Sequence, residues 1–168
     1  MTQELLSGLN GYDIPCRHTI QGGESMVCLI THGFGSSKDS PTAQLLAGEL
    51  PRHGIGTLAL DLPAHGDSPV DGDALSIRHC LDDLARAEAR ALELAPGARV
   101  VYFSSSFGAY LNLIYLSTRP HRGTRSFLRS AAVEMPLLFH TPTPEQAEEL
   151  AAFTEFFMNR FAGKDGKK

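Results

Sequence analysis

The chain has 168 residues, 42% of them hydrophobic, 20% charged and 8% aromatic, enough for one buried core and unlike a disordered, collagenous or disulfide-scaffold composition. Its 15 Lys and Arg stand against 19 Asp and Glu, a formal charge of -4; with no basic stripe, nucleic acid is not an expected partner. The longest apolar stretches, Met26 to Ile30 and Leu111 to Leu116, fall far short of the roughly 20 residues of a membrane span.

The acidic start Met-Thr-Gln-Glu is not followed by an apolar run, so it does not read as a secretory leader, and the expected address is cytoplasmic. Cys16, Cys28 and Cys80 are odd in number and unclustered, as reduced thiols would be. No metal or cofactor is expected: Gly33 and Gly35 lack both the third glycine of a dinucleotide motif and the lysine of a P-loop.

In chain order, the first 20 residues predict an edge hairpin turning at Asn10-Gly11. Met26 to Thr31 is an apolar run suited to a strand buried on both faces. Ser40 and Pro41 are an N-cap and a first-turn proline for a helix that Pro51 and Gly54 close. Gly56 to Asp61 predicts a second buried strand. Ile77, Leu81, Leu84, Ala87, Ala91 and Leu94 are spaced for a helix over 74–95, stopped by Pro96-Gly97. A third buried strand follows at Val100 to Ser105, then a helix from Phe107 to Leu116 with almost no loop between, then a strand over Arg125 to Val133. Thr143-Pro-Glu-Gln146 resembles a capping box for a last helix toward Phe161, and 163–168 reads as a disordered tail. Alternating strands and helices predict an α/β fold with a mostly parallel sheet, as a single domain over 1–162.

The abrupt turn at Ser106 carries the most chemistry. Ser104-Ser-Ser106-Phe-Gly108 between strand and helix has the small-x-Ser-x-Gly form of a nucleophile elbow, and Ser106 is the serine that places a glycine two residues on. The competing reading is a serine that merely caps the helix. His32-Gly-Phe-Gly35, directly after the first buried strand, has the composition of a loop whose backbone N–H groups face a developing oxyanion.

His32 to Ser37, Asp61-Leu-Pro-Ala-His-Gly-Asp-Ser68 and Ser104-x-Ser106-x-Gly108 resemble, in kind, order and spacing, the α/β-hydrolase superfamily, particularly small bacterial serine esterases and acyl hydrolases. The resemblance covers roughly Leu5 to Pro136, with Ser104 where the family usually has glycine. It implies that Ser106 is the nucleophile of carboxylic ester hydrolysis through an acyl-enzyme. Phe34 and Phe107 are then the backbone oxyanion donors, and the substrate is a small ester or acyl compound. Asp61 to Ser68 would be a structural loop, His65 included.

The family's acid and histidine follow later strands, so the resemblance implies a fold cut short after its sixth strand, with 137–162 as the start of a cap. Glu134 and His140 are the one downstream pair in the family's order, though a solvated loop acid and a surface histidine are the plainer reading. His121 belongs to a surface loop at the far end of the sheet. Alternatives to the enzyme are a non-catalytic remnant, or one part of a split or dimeric assembly that binds a ligand or partner. A homodimer would form through the open strand near Val133 or through the final helix, whose Leu150, Phe153, Phe157 and Phe161 share a face.

Overall fold

The computed structural model describes residues 1–132. The chain separates at Val133 into two units, and the described residues belong to the first. The expectations for the helix toward Phe161, the tail, Glu134 and His140 lie outside the described residues.

Strands β1 (Thr2–Ser7) and β2 (Asp13–His18) form the predicted hairpin, with Thr2 opposite His18 and Ser7 opposite Asp13. Gly11 takes the left-handed φ of 83° that its turn requires. Strands β3 (Met26–Thr31), β4 (Ile55–Leu60), β5 (Arg99–Ser105) and β6 (Gly123–Arg129) complete one sheet in the order β1-β2-β4-β3-β5-β6. β4, β3, β5 and β6 pair in parallel, while β2 joins β4 antiparallel. β3 is thus central, which is why Met26 to Thr31 is a continuous apolar run rather than an alternating one.

Successive side chains leave β3 on opposite faces. Cys28 and Ile30 pack with Ala59 and Val101 against Ala43 and Leu46 of α1 (Pro41–Glu49). The opposite face takes α2 (Ile77–Leu94) and α3 (Phe107–Thr118). There Glu88 of α2 accepts hydrogen bonds from Tyr102 Oη of β5 (2.6 Å) and Tyr115 Oη of α3 (2.9 Å). Burial, and then the adjoining carboxylate, raise both phenols far above their ordinary value, so each remains the donor. One buried acid therefore ties a strand to two helices. All three cysteines are unbridged and buried, and burial pushes Cys28 and Cys80 up to about 12. No helix among the described residues is long and apolar enough to cross a membrane.

Two boundaries differ from expectation by three residues or more. α2 starts at Ile77 rather than Ala74, because Ser76 Oγ is the cap that accepts from His79 N, while Asp71 holds a separate 3-10 turn at Gly72–Ala74. The last strand runs from Gly123 to Arg129 instead of Arg125 to Val133. Its partner β5 ends at Ser105 opposite Arg129, and Ser130 turns away at φ 50°.

Asp83, on the buried stripe of α2, fastens the hairpin. Tyr12 Oη donates to its Oδ2 at 2.9 Å, while Oδ1 is buried with no hydrogen-bond partner among the described residues. Burial pushes this carboxyl up to about 6 against the pull of the tyrosine. The folded state therefore holds a proton that the unfolded chain releases near pH 4, and that stabilisation is full below pH 4 and lost as pH rises through 6. Asp83→Asn keeps an acceptor for Tyr12 without a buried charge. It is expected to raise stability by about 1 kcal/mol at pH 7 and to flatten urea stability between pH 4 and 6; an unchanged pH slope would contradict this.

Candidate active site at the carboxyl end of the parallel strands

Ser106 joins β5 to α3 with φ 49° and ψ -116°, outside the regions open to ordinary L-residues. Its backbone is held on both sides: its N–H donates to the Arg129 carbonyl of β6 at 2.9 Å, and its carbonyl accepts from Tyr110 N at 3.1 Å. The Ser106 side chain makes no capping hydrogen bond, and the residue is exposed. The turn therefore does not use this hydroxyl to begin the helix.

Glycines on either side allow the approach of backbones. A Cβ on Gly108 would overlap the His32 carbonyl oxygen and lie 2.7 Å from that of Thr31, so the first turn of α3 rests directly on the end of β3. A Cβ on Gly33 would stand 3.2 Å from Ser106 Cβ and 3.9 Å from its Oγ, which places the loop after β3 alongside the serine. Ser104, in the family's glycine position, is accommodated fully buried opposite Thr31.

In that loop, His32 acts on its own neighbour. Leu62 N donates to Nε2 at 3.1 Å, which leaves the proton on Nδ1, 2.7 Å from the Gly33 carbonyl oxygen. Burial lowers the pKa of the imidazole and keeps it neutral. Ser36 N donates to the same Gly33 oxygen at 3.2 Å. With that carbonyl fixed and the peptide trans, the Phe34 N–H points within the peptide plane in the direction opposite to the Gly33 carbonyl. Phe34 is 56% exposed, and its ring meets those of Phe107 (6.1 Å) and His65 (5.2 Å) edge-on.

A second loop, Asp61 to Ser68, is locked to the first through Asp61. Its Oδ1 accepts from Lys38 N at 2.7 Å; its Oδ2 accepts from Lys38 Nζ and from Asp67 N, both at 2.9 Å. Gly66, at φ 55°, lies where any Cβ would overlap the Asp61 carboxylate. Lys38 Nζ also reaches Asp39 (2.9 Å) and Asp67 (2.5 Å). Burial alone would lower the ammonium, but its hydrogen bonds to Asp67, Asp39 and Asp61 raise it well above the usual lysine value.

The fold thus brings Ser106, Phe34 and Phe107 to one place. His65 is buried with Nδ1 2.8 Å from the Pro63 carbonyl oxygen, as a structural residue would be. His121 lies exposed at the opposite end of the sheet beside Tyr102 and Tyr115. Lys38 and the His32 tautomer were not among the expected features, because their partners in the second loop are remote in sequence.

Residues 23–166 match the model of the family Hydrolase_4, described as serine aminopeptidase, S33. Among solved structures, a putative hydrolase from Agrobacterium vitis S4 is 15% identical with a TM-score of 0.69, over 89% of this chain and 60% of its own. Alpha/beta hydrolase domain-containing protein 10 from mouse is 14% identical with a TM-score of 0.68, over 88% and 58%. The esterase EaEST from Exiguobacterium antarcticum is 17% identical with a TM-score of 0.65, over 78% and 46%. The chain spans about half the length of these structures. No curated protein sequence matches it.

Proposed function

The chain belongs to the serine aminopeptidase S33 family of α/β hydrolases, and from that membership we propose that it is a serine hydrolase of carboxylic esters with Ser106 as nucleophile. The observation that carries this reading is the backbone of Ser106, held at a positive φ with its hydroxyl outside the helix cap. Strain of this kind costs on the order of 1–3 kcal/mol, and a plain helix cap would not need it. Solved neighbours that share this fold include the Exiguobacterium esterase and Butyrivibrio proteoclasticus Est1E with ferulic acid bound.

In this reading Ser106 Oγ attacks the ester carbonyl carbon, and its proton passes to a general base. The carbonyl oxygen becomes an oxyanion that accepts from the Phe34 and Phe107 N–H groups, the second beside the positive end of α3. Collapse of the tetrahedral intermediate breaks the bond to the alcohol, which takes the proton and leaves an acyl group on Ser106. Water then attacks the acyl carbonyl and releases the carboxylic acid. His32 is not the base, since one ring nitrogen accepts from Leu62 N and the other donates to Gly33. In the family the base and its acid follow later strands than those of residues 1–132. Without them, oxyanion stabilisation alone supplies roughly 10^3 to 10^4 over water.

The test is release of p-nitrophenolate from a short-chain ester by the full 168-residue chain against its Ser106→Ala variant. Faster release by the unmodified chain is expected, and equal rates would overturn the reading.

A further inference from the structure

We propose that Lys38 is a positioning residue for the oxyanion donor at Phe34, a proposal that deepens the serine-hydrolase reading and rests on it. Lys38 lies four residues after Phe34 in the loop between β3 and α1, and its side chain is only 2% exposed. Both ends of this residue engage one buried carboxylate, Asp61, through the backbone N–H at 2.7 Å and Nζ at 2.9 Å. Because Asp61 closes β4, this grip fixes the first loop to the end of the sheet.

The same ammonium meets Asp67 across the second loop and Asp39 within its own. Arg17 NH1 lies 2.6 Å from the remaining Asp39 oxygen. The cluster therefore opposes two cations to three carboxylates, and Asp61 also accepts from Asp67 N. The two loops that meet at the site through Phe34 and His65 are keyed to each other by the charged contacts of this lysine, beside the neutral hydrogen bond from Leu62 N to His32 Nε2. A buried ion pair is a poor source of net stability, since its desolvation offsets most of its attraction. What it supplies instead is geometry: two charged contacts and one backbone contact admit a single loop placement. Displacement of a donor by even 1 Å weakens transition-state stabilisation steeply.

The experiment uses the full chain and a fluorophosphonate, whose phosphonyl oxygen takes the oxyanion position when Ser106 displaces fluoride. Saturating rate and half-saturating concentration are measured for the wild type, Lys38→Met and Asp67→Asn. In Lys38→Met, the rate is expected to fall about tenfold or more with the half-saturating concentration unchanged; a wild-type rate in a variant with native circular dichroism would overturn the proposal. If Lys38→Met does not fold, Asp67→Asn decides. Its side chain is 71% exposed, so the substitution removes the negative charge opposite Lys38 without opening the core, and a several-fold slower reaction is expected against an unchanged one. The backbone amide resonance of Phe34 gives an independent readout: it is expected to shift in either variant while that of Leu84 stays in place. If the wild type is not labelled, the serine-hydrolase reading fails, and an unmoved Phe34 resonance separately removes the role of Lys38.

Discussion

Ser106→Gly is expected to inactivate the protein and stabilise it at once. The reaction is lost because no other group stands where the hydroxyl does, so covalent capture of an ester or phosphonate falls to background. The stability gain comes from the backbone: at φ 49° and ψ -116°, Ser106 occupies a conformation that glycine reaches without the Cβ clash. Relief of on the order of 1–3 kcal/mol of strain is offset by the roughly 0.5–1 kcal/mol of extra freedom that glycine gives the unfolded chain. A net gain of about 1 kcal/mol, or about 3 °C in Tm, is expected. The side chain makes no capping hydrogen bond whose loss would cancel it. Thermal denaturation of the two proteins checks this, and a lower Tm for the glycine variant would show that the turn is not strained.

Gly108→Ala is expected to have the largest effect on stability. The added methyl would meet two backbone carbonyl oxygens, of His32 and Thr31, and neither can swing aside as a flexible side chain would. α3 must lift from β3, at about 3 kcal/mol. The displacement also moves Ser106 and Phe107, which begin the helix, so phosphonylation should slow in whatever fraction stays folded. Gly48, inside α1 with nothing within 4 Å of its would-be Cβ, is the control: Gly48→Ala should stabilise by about 0.5–1 kcal/mol. Urea unfolding of both variants measures the contrast, and equal behaviour would remove the close approach from the account.

The parts of this fold that were legible in the sequence are those whose signal is local. Ser40 and Pro41 begin a helix by their own chemistry, and Ser40 Oγ does accept from Ala43 N. The apolar run Met26 to Thr31 is a strand because nothing in it could face water. The elbow was legible for the same reason, since a serine two residues before a glycine at a strand-to-helix junction is a spacing. β6 was placed too far along because Ala131, Ala132 and Val133 continue an apolar pattern, whereas a strand ends where its partner ends, and no local feature of β6 reports the end of β5. Lys38 and Glu88 were invisible for a related reason. Their partners Asp61 and Tyr115 lie 23 and 27 residues away, and a charged side chain reads as solvated until the fold buries it. His32 was read for its place in a glycine-rich loop, but its tautomer depends on a backbone N–H 30 residues on.

The most direct measurement is intact mass of the full chain after incubation with a fluorophosphonate, followed by peptide mapping. One phosphonyl group per chain, on the peptide that contains Ser106 and absent from Ser106→Ala, is the predicted result. An unmodified mass, or a label that persists in the variant, would contradict the assignment of Ser106 as the nucleophile.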